Sequence, residues 1–123
     1  MRALVVDDSR TMRLILSRIM GELGFEVVEA PDGRRALEQL LAGEPMDVAL
    51  VDWNMPEMNG YEVLCALRAS RAYARMPVIM VTTETERSQI LRALETGANE
   101  YIMKPFTKTA VLEKLALLQL LPG

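Results

Sequence analysis

The chain has 123 residues, half of them apolar, a net charge of −3 and no histidine. That is the size of one domain with a real core, and a single domain over 1–123 is expected. The composition excludes Ser-His and Cys-His nucleophilic couples and His-bound zinc, and it holds no basic run for nucleic acid and no apolar run long enough to span a membrane.

The N-terminus "MRALVVDD" meets acids too early for a signal peptide. The one cysteine, Cys65, has no partner for an internal disulfide, which fits a reducing cytoplasm. It lies in the helical-looking "YEVLCALRAS" and is expected to be a small core residue.

Short aliphatic runs alternate with helical patterns. The first strand is "ALVV" (3–6). A helix follows in which Met12, Ile15, Leu16, Ile19, Met20 and Leu23 recur at helical spacing, with Ser9 to cap its start and Gly24 its end. The second strand is "FEVVEA" (25–30), followed by a helix capped by Asp32, with Ala36, Leu37, Leu40 and Leu41 as its apolar stripe and Gly43 at its end. The third strand, "DVALV" (47–51), leads through "DWNMPEMNG" to a helix starting near Asn59. "CALRASRAYARMP" is its end and a loop. The fourth strand, "PVIMV" (77–81), precedes a helix carrying Ile90, Leu91 and Leu94 that ends at Gly97; Thr83 and Glu86 have capping-box spacing at its start. The fifth strand is "EYIM" (100–103), and a last helix begins near Thr107.

Five β-α units imply an α/β fold: a doubly wound parallel sheet with helices on both faces. The first, third and fourth strands are nearly all apolar and suit the interior. The second carries Glu26 and Glu29 and the fifth is short, so these suit the edges. The resulting order is 2-1-3-4-5, with a switch point between the first and third strands where such folds bind ligands.

All strand ends in a parallel sheet share one edge. Asp7 and Asp8 follow the first strand, Asp52 the third, Thr82 and Thr83 the fourth and Lys104 the fifth. Three carboxylates therefore converge at the crevice, and at least one pKa should rise unless a cation enters. Oxygen ligands without His or thiol favour magnesium, with manganese as a substitute. Each residue also has an ordinary reading: acids at a helix start, a capping threonine, a solvated lysine. Their joint placement on adjacent strand ends favours function.

These stretches together resemble the receiver domain of two-component response regulators, most nearly its single-domain chemotaxis type, which itself exemplifies this strand order. The resemblance covers the whole chain and rests on "VVDDS" (5–9), "APDGRRAL" (30–37), "DVALVDWNMPEMNG" (47–60), "PVIMVTTE" (77–84) and "GANEYIMKPF" (97–106). It implies that Asp52 accepts the phosphoryl group and that Asp8 ligates magnesium directly, with Asp7 acting through water. Asn54 would reach the metal by its backbone carbonyl. Thr82 would follow the phosphoryl group, with Thr83 the small residue beside it, and Lys104 would pair with a phosphoryl oxygen. Tyr101 matches the aromatic switch residue, and Glu57 and Glu84 match variable positions that tune the phosphoryl lifetime.

The implied donor is a phosphohistidine on a sensor histidine kinase or phosphotransfer protein. The implied output is a downstream protein docking on the fourth helix, fifth strand and fifth helix, with no nucleic acid or membrane partner. No output domain is expected within these residues. Leu117, Leu120 and Leu121 in the tail are expected to lie partly exposed. Phosphorylation would replace one negative charge with about two. Thr82 would then move toward the phosphoryl group, leaving room for Tyr101 to turn inward, and slow hydrolysis would reset the site. Three rival classes are a receiver-like module that no longer accepts phosphate, a magnesium-dependent aspartyl-phosphate phosphohydrolase, and a flavodoxin-like nucleotide binder. The second would place its nucleophile after the first strand, and the third lacks a Gly-rich phosphate loop there.

Overall fold

The computed structural model describes residues 1–43, 45–83 and 87–121, with only the backbone of Arg87. Its elements alternate as β1 (Arg2–Val6), α1 (Arg10–Glu22), β2 (Glu26–Ala30), α2 (Gly33–Leu41), β3 (Val48–Asp52), α3 (Gly60–Ala69), β4 (Val78–Thr82), α4 (Arg87–Thr96), β5 (Glu100–Met103) and α5 (Lys108–Leu117). The strands form one parallel sheet in the order β2-β1-β3-β4-β5. The expected strands are all present, displaced by no more than one residue at an end. No helix among the described residues is long and apolar enough to cross a membrane.

Local chemistry sets the helix ends. Ser9, Asp32, Asn59 and Thr107 are N-caps whose side chains accept from the N–H groups of Met12, Arg35, Glu62 and Ala110. Asn59 and Glu62 complete a reciprocal capping box. Gly24 ends α1 at φ 99°, and Gly97 follows α4 at φ 124°, a backbone region that costs glycine nothing. The Thr83–Glu86 capping pair cannot be placed, because Glu86 lies outside the described residues.

The sheet has a core on each face. Leu4, Val6, Ala49, Val51 and Met80 meet α2, α3 and α4 through Leu40, Val63, Leu64, Leu67 and Ala93. Val5, Leu50, Ile79, Val81 and Ile102 meet α1 and α5 through Leu16, Met20, Val111 and Leu115. β3 and β4 are buried throughout, and edge strand β2 exposes Glu26 and Glu29. Arg68 fastens the far side. Its guanidinium donates to the carbonyls of Gly97 and Tyr73 and to Asn99 Oδ1, at 2.8–3.0 Å, joining α3 to the turns before β4 and β5. Burial lowers its pKa.

The structure corrects several side-chain expectations. Cys65 is exposed. Helix α3 buries Val63, Leu64 and Leu67, and Cys65 stands one residue past Leu64, about 100° around the helix from that stripe. Ile15, Leu41, Leu91 and Leu94 are also exposed, Leu41 at 84%. Each flanks a narrower buried line: Leu16 and Met20 in α1, Ala36 and Leu40 in α2, Ala93 in α4. In the tail, Leu117 and Leu121 are exposed as expected, but Leu120 is buried in the α1–α5 core.

Candidate functional site

The pairing register brings the polar residues together. Val6 lies opposite Val51, so Asp7 continues β1 alongside Asp52 at the end of β3. Asp52 lies opposite Val81, and Thr82 opposite Met103, so Thr82 and Lys104 follow one step further along the same edge. The Lys104 N–H donates to the Thr82 carbonyl at 2.7 Å, which extends the β4–β5 pairing into the site.

Asp7 is fully buried, Asp52 is 4% exposed, and Asp8 is exposed at the mouth. One carboxylate oxygen from each lies within 4.8 Å of the others. Lys104 Nζ donates to Asp52 Oδ1 at 2.9 Å and stands 3.5 Å from Asp7 Oδ2. Asp7 Oδ1 accepts from the Ser9 N–H at 2.9 Å, while its buried Oδ2 accepts no hydrogen bond. Burial, with the charges of Asp7 and Asp8, raises the Asp52 pKa to about 6 despite the opposing pull of Lys104. Burial alone would lower the Lys104 pKa, but its hydrogen bond to Asp52 and the negative charges of Asp52 and Asp7 outweigh that and raise it.

This donor set fits a hard divalent cation. It offers three clustered carboxylates, among them Asp7, with a buried oxygen that lacks a hydrogen-bond donor, and Asp52, whose ionised form is disfavoured until more positive charge arrives.

The other expected residues fall around this centre. Asn54 is exposed in the turn after β3. Glu57 is exposed at φ 66°, inside a tight turn in which the Met58 N–H donates to the Pro56 carbonyl at 2.7 Å. Thr82 is buried, its Oγ1 3.3 Å from the Thr83 carbonyl. Tyr101 is half-buried against the α4-side core, with the Lys114 ammonium 4.4 Å from its ring centre. It lies opposite Met80, so strand alternation places it on the same face of the sheet as Thr82. Glu84 lies outside the described residues.

Two supports of the site were not singled out from the sequence. Gly60 opens α3 directly beneath the end of β3. A Cβ there would come 2.3 Å from the Asp52 carbonyl oxygen and 2.9 Å from the Trp53 Cα. The Gly60 N–H also donates to the Trp53 carbonyl at 2.9 Å. The backbone carrying Asp52 therefore packs against a helix start that has room only for hydrogen. The "NG" before a helical run is the available signal, and by itself it marks only a helix start. The second support is Arg13, whose guanidinium donates to the Asp7 carbonyl. Trp53, next to Asp52, is buried and packs 5.9 Å from the Tyr61 ring.

Comparison with known proteins gives the same answer as the geometry. The model of the response regulator receiver domain matches residues 3–116. The chain is 47% identical to the chemotaxis protein CheY homolog of Campylobacter jejuni, over 94% of this chain and 89% of that one. It is 44% identical to the chemotaxis protein CheY of Pseudomonas aeruginosa, over 94% and 93%. The solved structure of the chemotaxis protein CheY4 of Vibrio cholerae superposes with a TM-score of 0.87 at 35% identity, covering 94% of this chain and 96% of that one. A parallel sheet with an acidic crevice at its switch point is thus the scaffold of a phosphoryl-accepting signalling module. The chain belongs to the response regulator receiver family. It is a two-component response regulator, a class that interacts with histidine kinases and downstream targets and whose standard role is to accept a phosphoryl group.

Proposed function

We propose that Asp52 is the phosphoryl acceptor of this regulator. The observation that carries the reading is the buried Asp52 carboxylate, bonded to Lys104 at 2.9 Å within the Asp7–Asp8–Asp52 cluster. One Asp52 oxygen attacks the phosphorus of a partner's phosphohistidine. The phosphorus–nitrogen bond breaks, the imidazole keeps the electron pair and takes up a proton, and an acyl phosphate remains. Magnesium, held by Asp7, Asp8, Asp52 and the Asn54 carbonyl, would offset the clustered negative charge and pair with phosphoryl oxygens. Lys104 pairs with a further phosphoryl oxygen, so catalysis is mostly positioning and charge balance. Thr82 and Tyr101 form the switch on one face of the sheet. Glu57 and Glu84 set how fast water removes the phosphoryl group, a self-catalysed reset.

The signal leaves through α4, β5 and α5. In support, a groove of about 320 Å³ lined by Tyr101, Pro105, Phe106 and Lys114 opens there, and Leu91 and Leu117 stand out on α4 and α5. We place this receiver domain, residues 1–123, in the cytoplasm, where a kinase and its target are both reached. Incubation with magnesium and acetyl phosphate, read by intact mass, tests the central claim. The wild type should gain one phosphoryl group and Asp52→Ala none; full labelling of the variant would refute it.

A further inference from the structure

Arg13 lies in the first turn of α1, and its side chain is only 16% exposed. The guanidinium makes two contacts. Nη1 donates to the Asp7 main-chain carbonyl at 2.7 Å, and Nε donates to Glu29 Oε1 at 3.1 Å. Glu29 sits in β2, and its own carbonyl accepts from Gln39 Nε2 at 3.2 Å. The Asp7 carbonyl belongs to the peptide that joins Asp7 to Asp8. The turn is also held on either side of that peptide: the Asp7 N–H donates to the Ala30 carbonyl at 3.2 Å, and the Ser9 N–H donates to Asp7 Oδ1 at 2.9 Å. Asp7 is therefore fixed at its N–H, its carboxylate and its carbonyl. Asp8 is exposed and depends on the orientation of the peptide before it.

We propose that Arg13 is a positioning residue for the divalent-cation site. By gripping the Asp7 carbonyl it fixes the plane of the Asp7–Asp8 peptide, which keeps both carboxylates in one ligand set with Asp52. The arginine fork makes this possible, since one rigid group holds the turn and is itself anchored to β2. Outer groups that orient ligands govern metal affinity without touching the metal. The proposal rests on the magnesium reading of the carboxylate cluster.

Its sign separates it from two simpler roles. If Arg13 acted only as a nearby positive charge, removing it would tighten cation binding. If it were only a brace between α1 and β2, its loss would lower stability equally with and without metal and leave affinity unchanged. The fluorescence of Trp53, the single tryptophan and the neighbour of Asp52, reports the titration.

The experiment titrates magnesium chloride into the full chain as wild type, Arg13→Met and Arg13→Lys, with urea melts in the presence and absence of magnesium. Arg13→Met keeps the buried stem and removes the donors, and should weaken magnesium binding about tenfold. Arg13→Lys keeps the charge but cannot hold Asp7 and Glu29 in one planar fork, and should weaken it by a smaller factor. Magnesium should then stabilise both variants less than the wild type. Tighter binding in Arg13→Met, or unchanged affinity with equal loss of stability in both conditions, overturns the proposal. Should Arg13→Met fail to fold, wild-type affinity in Arg13→Lys overturns it. A wild type that binds no magnesium overturns both this proposal and the reading beneath it, whereas a binding wild type with unaltered variants overturns this one alone.

Discussion

Neutralising the buried Asp52 carboxylate should stabilise the metal-free fold. The Asp52 carboxyl has its pKa raised from 3.8 to about 6, first by burial and then by Asp7 and Asp8. Its folded-state pKa lies above the unfolded one, so the folded state holds its proton more tightly. The benefit of that proton is complete below the unfolded value and is lost as pH rises through about 6. A rise of about two units corresponds to a penalty of about 3 kcal/mol for the ionised form above that range. Asp52→Asn removes the penalty but also takes an ionic partner from Lys104, which retains Asp7 at 3.5 Å. The net gain should be about 1–2 kcal/mol near pH 8, a melting-temperature increase of roughly 3–8 °C for a domain of this size. Near pH 4 wild-type Asp52 is largely protonated in the folded state, and the gain should almost vanish. Urea melts of both proteins in a chelator, at the two pH values, provide the measurement. Added magnesium should narrow or reverse the difference at the higher pH, because it stabilises the wild type by mass action. A variant less stable than wild type near pH 8 without metal, or an equal gap at both pH values, would refute the electrostatic account.

Three other substitutions probe separate parts of the molecule. Gly60→Ala forces a Cβ against the Asp52 carbonyl, so it should cost about 1–3 kcal/mol in urea melts and slow labelling by acetyl phosphate; wild-type values in both assays would show that the helix start yields freely. Thr82→Ala should still be phosphorylated on Asp52 but lose most of the affinity gain for a downstream partner, measured with and without a phosphoryl mimic. An undiminished gain would remove Thr82 and Tyr101 from the switch, since coupling is a difference in affinity between two states. Arg68→Met strips charged donors from three backbone and side-chain oxygens, and should cost about 2–3 kcal/mol in urea melts while leaving magnesium affinity at the wild-type value.

The fold and the centre of the site were legible in the sequence because both depend on regularities along the chain. An apolar run that stops at Asp7 or Asp52 marks a strand end, and right-handed β-α-β crossovers bring all such ends to one edge. The strand order followed from which runs were apolar throughout, and the helix starts followed from Ser9, Asp32, Asn59 and Thr107, whose capping is local chemistry. Packing between elements left no comparable trace. Ile15 and Leu41 share the helical pattern of their buried neighbours, and Cys65 is as apolar as its own, so only the seating of each helix on the sheet decides that they face outward. Leu120 is buried for the converse reason, as the chain after α5 folds back onto the α1–α5 core. Gly60 and Arg13 carry no mark of a role along the chain, and one emerges only when β3 is set against the start of α3, and the β1–α1 turn against β2. Their partners are main-chain carbonyls, which every residue possesses and no sequence pattern distinguishes. Tertiary structure alone selects which carbonyl a helix start must clear and which a guanidinium must hold.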